Sequence, residues 1–128
     1  MILVDSSFLI ALTDSKDRWH RDAMRLRPRL QDLLVVSDLG LSEAVTVVGS
    51  RKGGKAAAIL LEFLTDSCRI EFLDRGALGG VAAVHLRHNG SLSFADAHSL
   101  WLMESLGIHE ILSFDADFDK AKGIERLH

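Results

Sequence analysis

Four acidic residues, Asp5, Glu43, Asp96 and Asp115, lie far apart in the sequence but at related places in its pattern. Asp5 directly follows the apolar run Ile2-Leu3-Val4, and Asp115 follows a run ending in Ser113-Phe114. If both runs are parallel strands, both acids emerge at one edge, because open α/β sheets place their ligand sites beyond the carboxyl ends of the strands. Glu43, early on a helix, and Asp96, in the first turn of another, are positioned to reach the same edge. Ionised carboxylates about 4 Å apart repel by roughly 4 kcal/mol at an effective dielectric of 20, so four together require cations or protons. An oxygen-only set without Cys or His suits Mg²⁺ or Mn²⁺ better than zinc, and such ions keep water positions open for substrate phosphate. The chemistry this permits is phosphodiester hydrolysis, with one ion activating water and a second, where present, stabilising the leaving oxygen.

Each residue also has a plainer reading. Asp5 and Asp115 suit turns after strands, and Glu43 suits a solvated helix face, although Leu41, Ala44 and Val45 give it a partly apolar surround. Ser93-x-x-Asp96 matches a capping box, which competes for the Asp96 carboxylate. Asp115-x-Asp117-x-Asp119 imitates a calcium loop, but Lys120 stands where glycine is needed and Arg126 where glutamate is. Gly49 to Lys55 imitates a phosphate loop, but Ala56 replaces the magnesium-binding hydroxyl and a helix precedes it. Arg51, Lys52 and Lys55 read as a solvated turn. His85 and His88 lack a third ligand for zinc, and no Gly-x-Ser-x-Gly elbow supports a serine hydrolase. Trp19, Trp101, Phe94 and Met103 read first as core or interface residues.

The elements that must position these acids follow from periodicity. A strand over Ile2–Val4 enters a helix beginning near Phe8. Residues from about Asp17 to Leu34 have helical spacing, broken by Pro28. A brief strand at Val35-Val36 precedes a helix from Asp38 to about Arg51, and Gly53-Gly54 marks a turn. A helix over Lys55 to Thr65, a strand over Arg69 to Leu73 and a helix from about Gly76 to His88 come next. Asn89-Gly90 ends that helix, Ser93 starts another that closes at Leu106-Gly107, and strands follow at Glu110 to Phe114 and Ile124 to Leu127. Strands alternating with helices predict a three-layer α/β/α sandwich around a central, mostly parallel sheet of about four to five strands.

At 128 residues and 48% hydrophobic, the chain can bury one core, and we read residues 1–128 as one domain. The short lead-in to Asp5 lacks the basic start of a signal peptide, and no apolar run reaches transmembrane length, so a cytoplasmic location is expected. Cys68, the single cysteine, reads as a small hydrophobe inside a strand. A net charge of −3 and a pI near 6 exclude the basic-stripe class of nucleic-acid binders. Any RNA chemistry must therefore rest on local charge such as bound cations.

Four segments taken together resemble a known family. Val4-Asp5-Ser6-Ser7-Phe8-Leu9, Ser37-Asp38-Leu39-Gly40-Leu41-Ser42-Glu43, Ser93-Phe94-Ala95-Asp96-Ala97 and Leu112-Ser113-Phe114-Asp115-Ala116-Asp117-Phe118 resemble, in order, the PIN-domain family and in particular its VapC-like toxins. The resemblance implies Mg²⁺- or Mn²⁺-dependent endoribonuclease cleavage of single-stranded RNA, homodimerisation, and inhibition by a small cognate antitoxin. It implies Asp5, Glu43, Asp96 and Asp115 as catalytic and metal-binding residues, with Ser6, Ser7 and Ser113 as polar supports. The family often carries Thr or Asn at these supports. Asp115 is the first choice for the last ligand, with Asp117 and Asp119 as further acids. The competing functions are an inactive PIN-like binding or scaffold domain, a housekeeping RNA-processing nuclease, and a phosphomonoesterase with Asp5 as nucleophile. The last lacks the second Asp two positions on.

Overall fold

The computed structural model describes all 128 residues, Met1–His128. Five strands, β1 (Ile2–Val4), β2 (Leu34–Ser37), β3 (Cys68–Glu71), β4 (Glu110–Leu112) and β5 (Glu125–Leu127), form one sheet in the order β3-β2-β1-β4-β5. Every pairing is parallel. Six helices cover it: α1 (Ser6–Thr13), α2 (His20–Arg25), α3 (Asp38–Lys52), α4 (Gly54–Ser67), α5 (Leu78–Arg87) and α6 (Phe94–Leu106).

The alternation of strand side chains builds two cores. Ile2, Val4, Leu34, Val36 and Leu112 point to one face, where Phe8, Leu9, Val48, Leu60 and Leu64 of α1, α3 and α4 cover them. Leu3, Val35 and Ile111 point to the other, against Val81 and Val84 of α5 and Leu100 and Met103 of α6. The central strands are buried on both faces, which accounts for their unbroken apolar runs. This is the three-layer arrangement that the element pattern predicts.

Among the boundaries that differ from the sequence expectation, three do so through a side chain competing for backbone. α1 starts at Ser6 rather than near Phe8 because the Asp5 carboxylate accepts the Ser7 N–H and caps the helix. The expected strand over Arg69 to Leu73 begins at Cys68 and stops at Glu71, for the Leu73 N–H donates to Asp38 Oδ1 at 3.1 Å and Phe72 is exposed. β4 ends at Leu112, since the Phe114 N–H donates to Ser7 Oγ at 3.0 Å. Between α2 and β2, Pro28 sits in the first turn of a 3₁₀ segment, Arg27–Gln31, where its missing N–H costs nothing. Half-buried Cys68 sits on an edge strand, with its thiol pushed up to about 11 by burial, and is therefore inert at neutral pH.

Candidate metal centre

The carboxyl ends of β1 and β4 are hydrogen-bonded neighbours, so Asp5 and the Ser113–Asp115 segment leave the sheet side by side. Asp5 is 8% exposed and is held by hydroxyl groups from both strands' extensions. Ser7 Oγ donates to Asp5 Oδ2 at 2.6 Å, and Ser113 Oγ donates to the same oxygen at 2.8 Å. The two hydroxyl oxygens lie 3.2 Å apart. Each has a single proton, and both protons are committed to Asp5. Their lone pairs accept in turn: Ser7 Oγ from the Phe114 N–H, and Ser113 Oγ from the Asp115 N–H at 3.0 Å. Asp5, Ser7 and Ser113 thus tie the end of β1 to the loop after β4.

That loop tightens into a 3₁₀ turn, Ala116–Lys120, capped by Asp115, whose Oδ1 accepts the Asp117 N–H at 2.9 Å. On the facing helix, Ser93 caps α6 by accepting the Asp96 N–H at 3.0 Å. Asp96 meanwhile faces the acids: single carboxylate oxygens of Asp96, Asp115 and Asp117 all lie within 4.8 Å of one another. A cleft of about 430 Å³ brings together Asp5, Ser6, Ser7, Glu43, Ser93, Asp96, Asp115 and Asp117, with Ile10 as its one apolar wall. Glu43 reaches it from α3 as an exposed rim residue, its buried neighbour being Ala44. Ser6 is buried beneath it. Asp119 does not join them. Its two oxygens are taken by Arg126 Nε and Nη2 at 2.9 Å, which turns it toward β5. Of the three loop acids, Asp115 and Asp117 face the cleft, and Asp117 also contacts Lys120 Nζ at 2.9 Å.

The electrostatics follow from this crowding. Burial raises the Asp5 carboxyl above its ordinary range, against the lowering effect of the Ser7 and Ser113 hydrogen bonds. Burial likewise pushes Asp96 up to about 6, helped by the negative charges of Asp5 and Asp115. Carboxylates raised in this way are destabilised as anions, and a divalent cation would offset that cost. The residues therefore suit a hard metal ion: the donors are all oxygens, three converge within ligand reach, and no Cys or His is among them.

An all-parallel sheet with these acids at its carboxyl edge defines a class, and the chain belongs to the PIN-domain family, whose model matches residues 2–124. It is 32% identical over 127 residues to the 23S rRNA-specific endonuclease VapC20 of Mycobacterium tuberculosis, in the CDC 1551 / Oshkosh and the ATCC 25618 / H37Rv strains alike. The match covers 98% of this chain and 97% of that protein. The crystal structure of M. tuberculosis VapC20, described as a sarcin-ricin loop cleaving toxin, superposes with a TM-score of 0.87 at 30% identity, covering 98% of both chains.

The cleft also holds residues that spacing does not single out beside the acids. Ser93 enters the cleft as well as capping α6, and Ile10 forms its wall. Trp19, which the sequence suggests for a core or an interface, is 36% exposed and stacks on Phe114 next to Asp115. In the sequence, the signal for Trp19 is a tryptophan set among charged residues, Asp17-Arg18-Trp19-His20-Arg21-Asp22.

Proposed function

We propose that this chain is a metal-dependent endoribonuclease that hydrolyses phosphodiester bonds in single-stranded RNA and serves as the toxin of a toxin–antitoxin pair. The observation that carries this reading is the convergence of Asp5, Asp96, Asp115 and Asp117, with Glu43 at the rim, on one open cleft. Likeness over the whole chain to 23S rRNA-specific endonucleases supports an exposed ribosomal RNA loop as the substrate. Mg²⁺ or Mn²⁺ bound by these acids would offset the negative charge of the scissile phosphate and lower the pKa of a water molecule. The protein's own part is orientation. Ser7 and Ser113 fix Asp5, the Ser93 cap fixes the start of α6 beneath Asp96, and the 3₁₀ turn sets Asp115 and Asp117. Because the chain is acidic overall, RNA must approach through the metal and through local basic groups. An antitoxin that covers the cleft and a homodimeric assembly belong to the same reading, as does a cytoplasmic location. No helix is long and apolar enough to cross a membrane.

The test is incubation of the purified protein with a synthetic ribosomal RNA stem-loop in Mn²⁺, Mg²⁺ or EDTA. Cleavage at one loop phosphodiester is expected with either ion and none with EDTA. Asp5→Asn and Asp96→Asn should each reduce the rate by at least about a hundredfold while leaving the circular dichroism spectrum unchanged. Full cleavage in EDTA, or by clean Asp5→Asn protein, overturns the assignment.

A further inference from the structure

A second hollow of about 400 Å³ opens beside the acidic cleft and shares Ser7, Ile10 and Asp115 with it. Its other wall is aromatic and basic. Trp19 and Phe114 stack almost parallel, with ring centroids 5.4 Å apart and planes 5° from each other. Phe114 in turn stacks on buried Phe8 at 5.9 Å, so the exposed indole rests on a column rooted in the core. The Arg18 guanidinium lies 4.5 Å from the Trp19 ring centroid and pairs with no carboxylate.

The loop carrying this indole is braced. Asp17 Oδ1 accepts the Trp19 N–H at 2.9 Å, while Asp17 Oδ2 accepts Arg51 Nη1 of α3, also at 2.9 Å. Arg51 Nη1 also contacts buried Asp14, whose other oxygen accepts the Lys16 N–H. The indole is thus held in place beside the acids, partly open to solvent, with Phe114 stacked on it and the Arg18 guanidinium over its ring.

We propose that Trp19, backed by Phe114 and flanked by Arg18, is the platform on which an unpaired nucleobase adjacent to the scissile phosphate stacks. The proposal rests on the nuclease reading above and adds a substrate-positioning residue to it. Nucleobases present flat π-faces that stack on aromatic rings and on guanidinium planes with little regard to sequence. Duplex RNA keeps its bases stacked inside, so the platform selects for a loop or a single strand. The incoming base takes the place of the Arg18 guanidinium on the indole, and Arg18 turns to the neighbouring phosphate. In an acidic protein this gives a base handhold and a local positive charge at the one place they are needed.

The experiment pairs protein variants with abasic substrates. Loop oligoribonucleotides carrying a single abasic nucleotide at each position around the cleavage site are compared with the intact oligonucleotide. For wild-type protein, KM should rise about tenfold at one flanking position, with kcat within about twofold. Trp19→Ala should show that same rise on the intact oligonucleotide and no further loss on the abasic one, whereas Trp19→Phe should keep most of the affinity. Anisotropy of labelled oligonucleotide at low salt in EDTA reads the same contact without cleavage. Equal affinity of wild type and Trp19→Ala there, or abasic sensitivity that survives in Trp19→Ala, overturns the platform. Loss of cleavage in wild type with Mn²⁺ would instead overturn the nuclease reading, and the binding measurement would still decide the stacking contact.

Discussion

Ser113 is fully buried, and its one hydroxyl satisfies two groups: it donates to Asp5 and accepts from the Asp115 N–H. Ser113→Ala would strand an amide and remove a donor from a buried carboxylate, a loss of about 1–3 kcal/mol for each unsatisfied group. Urea unfolding should show a decrease of that size, and cleavage should fall with it because Asp5 and Asp115 lose their common anchor. A variant as stable as wild type would contradict the hydrogen-bond accounting. The loop acids separate in the same way. Asp119→Asn should leave cleavage within about twofold, since Arg126 engages that side chain outside the cleft, while Asp117→Asn should slow it by about tenfold or more. Equal effects in a cleavage assay would refute this division. The sequence leaves Asp115, Asp117 and Asp119 open as alternatives, because spacing in a loop does not specify a direction. Direction comes from the 3₁₀ turn and from Arg126 further along the chain. Asp5 and Asp96 are legible, since a strand end and a helix start do specify direction.

Among the elements, the α5–α6 contact depends on a residue whose value was not visible in the pattern. A Cβ built on Gly80, in the first turn of α5, would lie 2.2 Å from Trp101 Nε1 and 2.9 Å from its Cδ1. Replacing a glycine within a helix by alanine ordinarily gains up to about 1 kcal/mol. Here the indole must move against α6, which costs typically 1–3 kcal/mol and reverses the sign. Gly80→Ala should therefore lower the melting temperature, and Gly79→Ala, next to it with open space around it, should not. The reverse order in a thermal scan would show that α6 adjusts freely. Helix and strand order could be read from periodicity because the buried strands and the amphipathic helices carry different repeats. Which helical faces approach closely is set by packing between segments distant in sequence. His98 illustrates this: it is buried on α6, stacks with Trp101, lies 3.8 Å from Asp38 and has no hydrogen-bond partner for its ring. Burial keeps it neutral by lowering its pKa.

For the molecule as a whole, the acidic cleft couples folding, pH and metal. Metal-free protein carries Asp5 and Asp96 with raised carboxyl pKa values, Asp96 at about 6 against an ordinary 3.8. Between those two values the native state holds a proton that the unfolded chain has released, so stability decreases as pH rises through the window. Asp14 and Asp119 work in the opposite sense. Their pKa values are lowered, Asp14 chiefly by the Lys16 N–H and Asp119 chiefly by Arg126, so their stabilisation is lost only as pH falls below the ordinary carboxylate range. These two windows do not overlap, but neutral buried His98 adds stability as pH rises toward its ordinary value, so the share of the acids is read as a difference: in EDTA the melting temperature of wild type should fall relative to that of Asp96→Asn as pH rises from about 4.5 to 6.5. On the proposed reading Mg²⁺ would bind the ionised acids in competition with protons, so its effect should be slight at pH 5 and large at pH 7.5. At one hundred times its dissociation constant the ion adds about 2.7 kcal/mol, a gain of several degrees for a chain of this length. Asp96→Asn should also remove most of the Mg²⁺ gain, because it deletes both the strained charge and a ligand. A Mg²⁺ shift of equal size at both pH values, or wild-type and Asp96→Asn melting temperatures that run parallel across the window in EDTA, would mean that burial in this cleft does not raise the carboxyl pKa values.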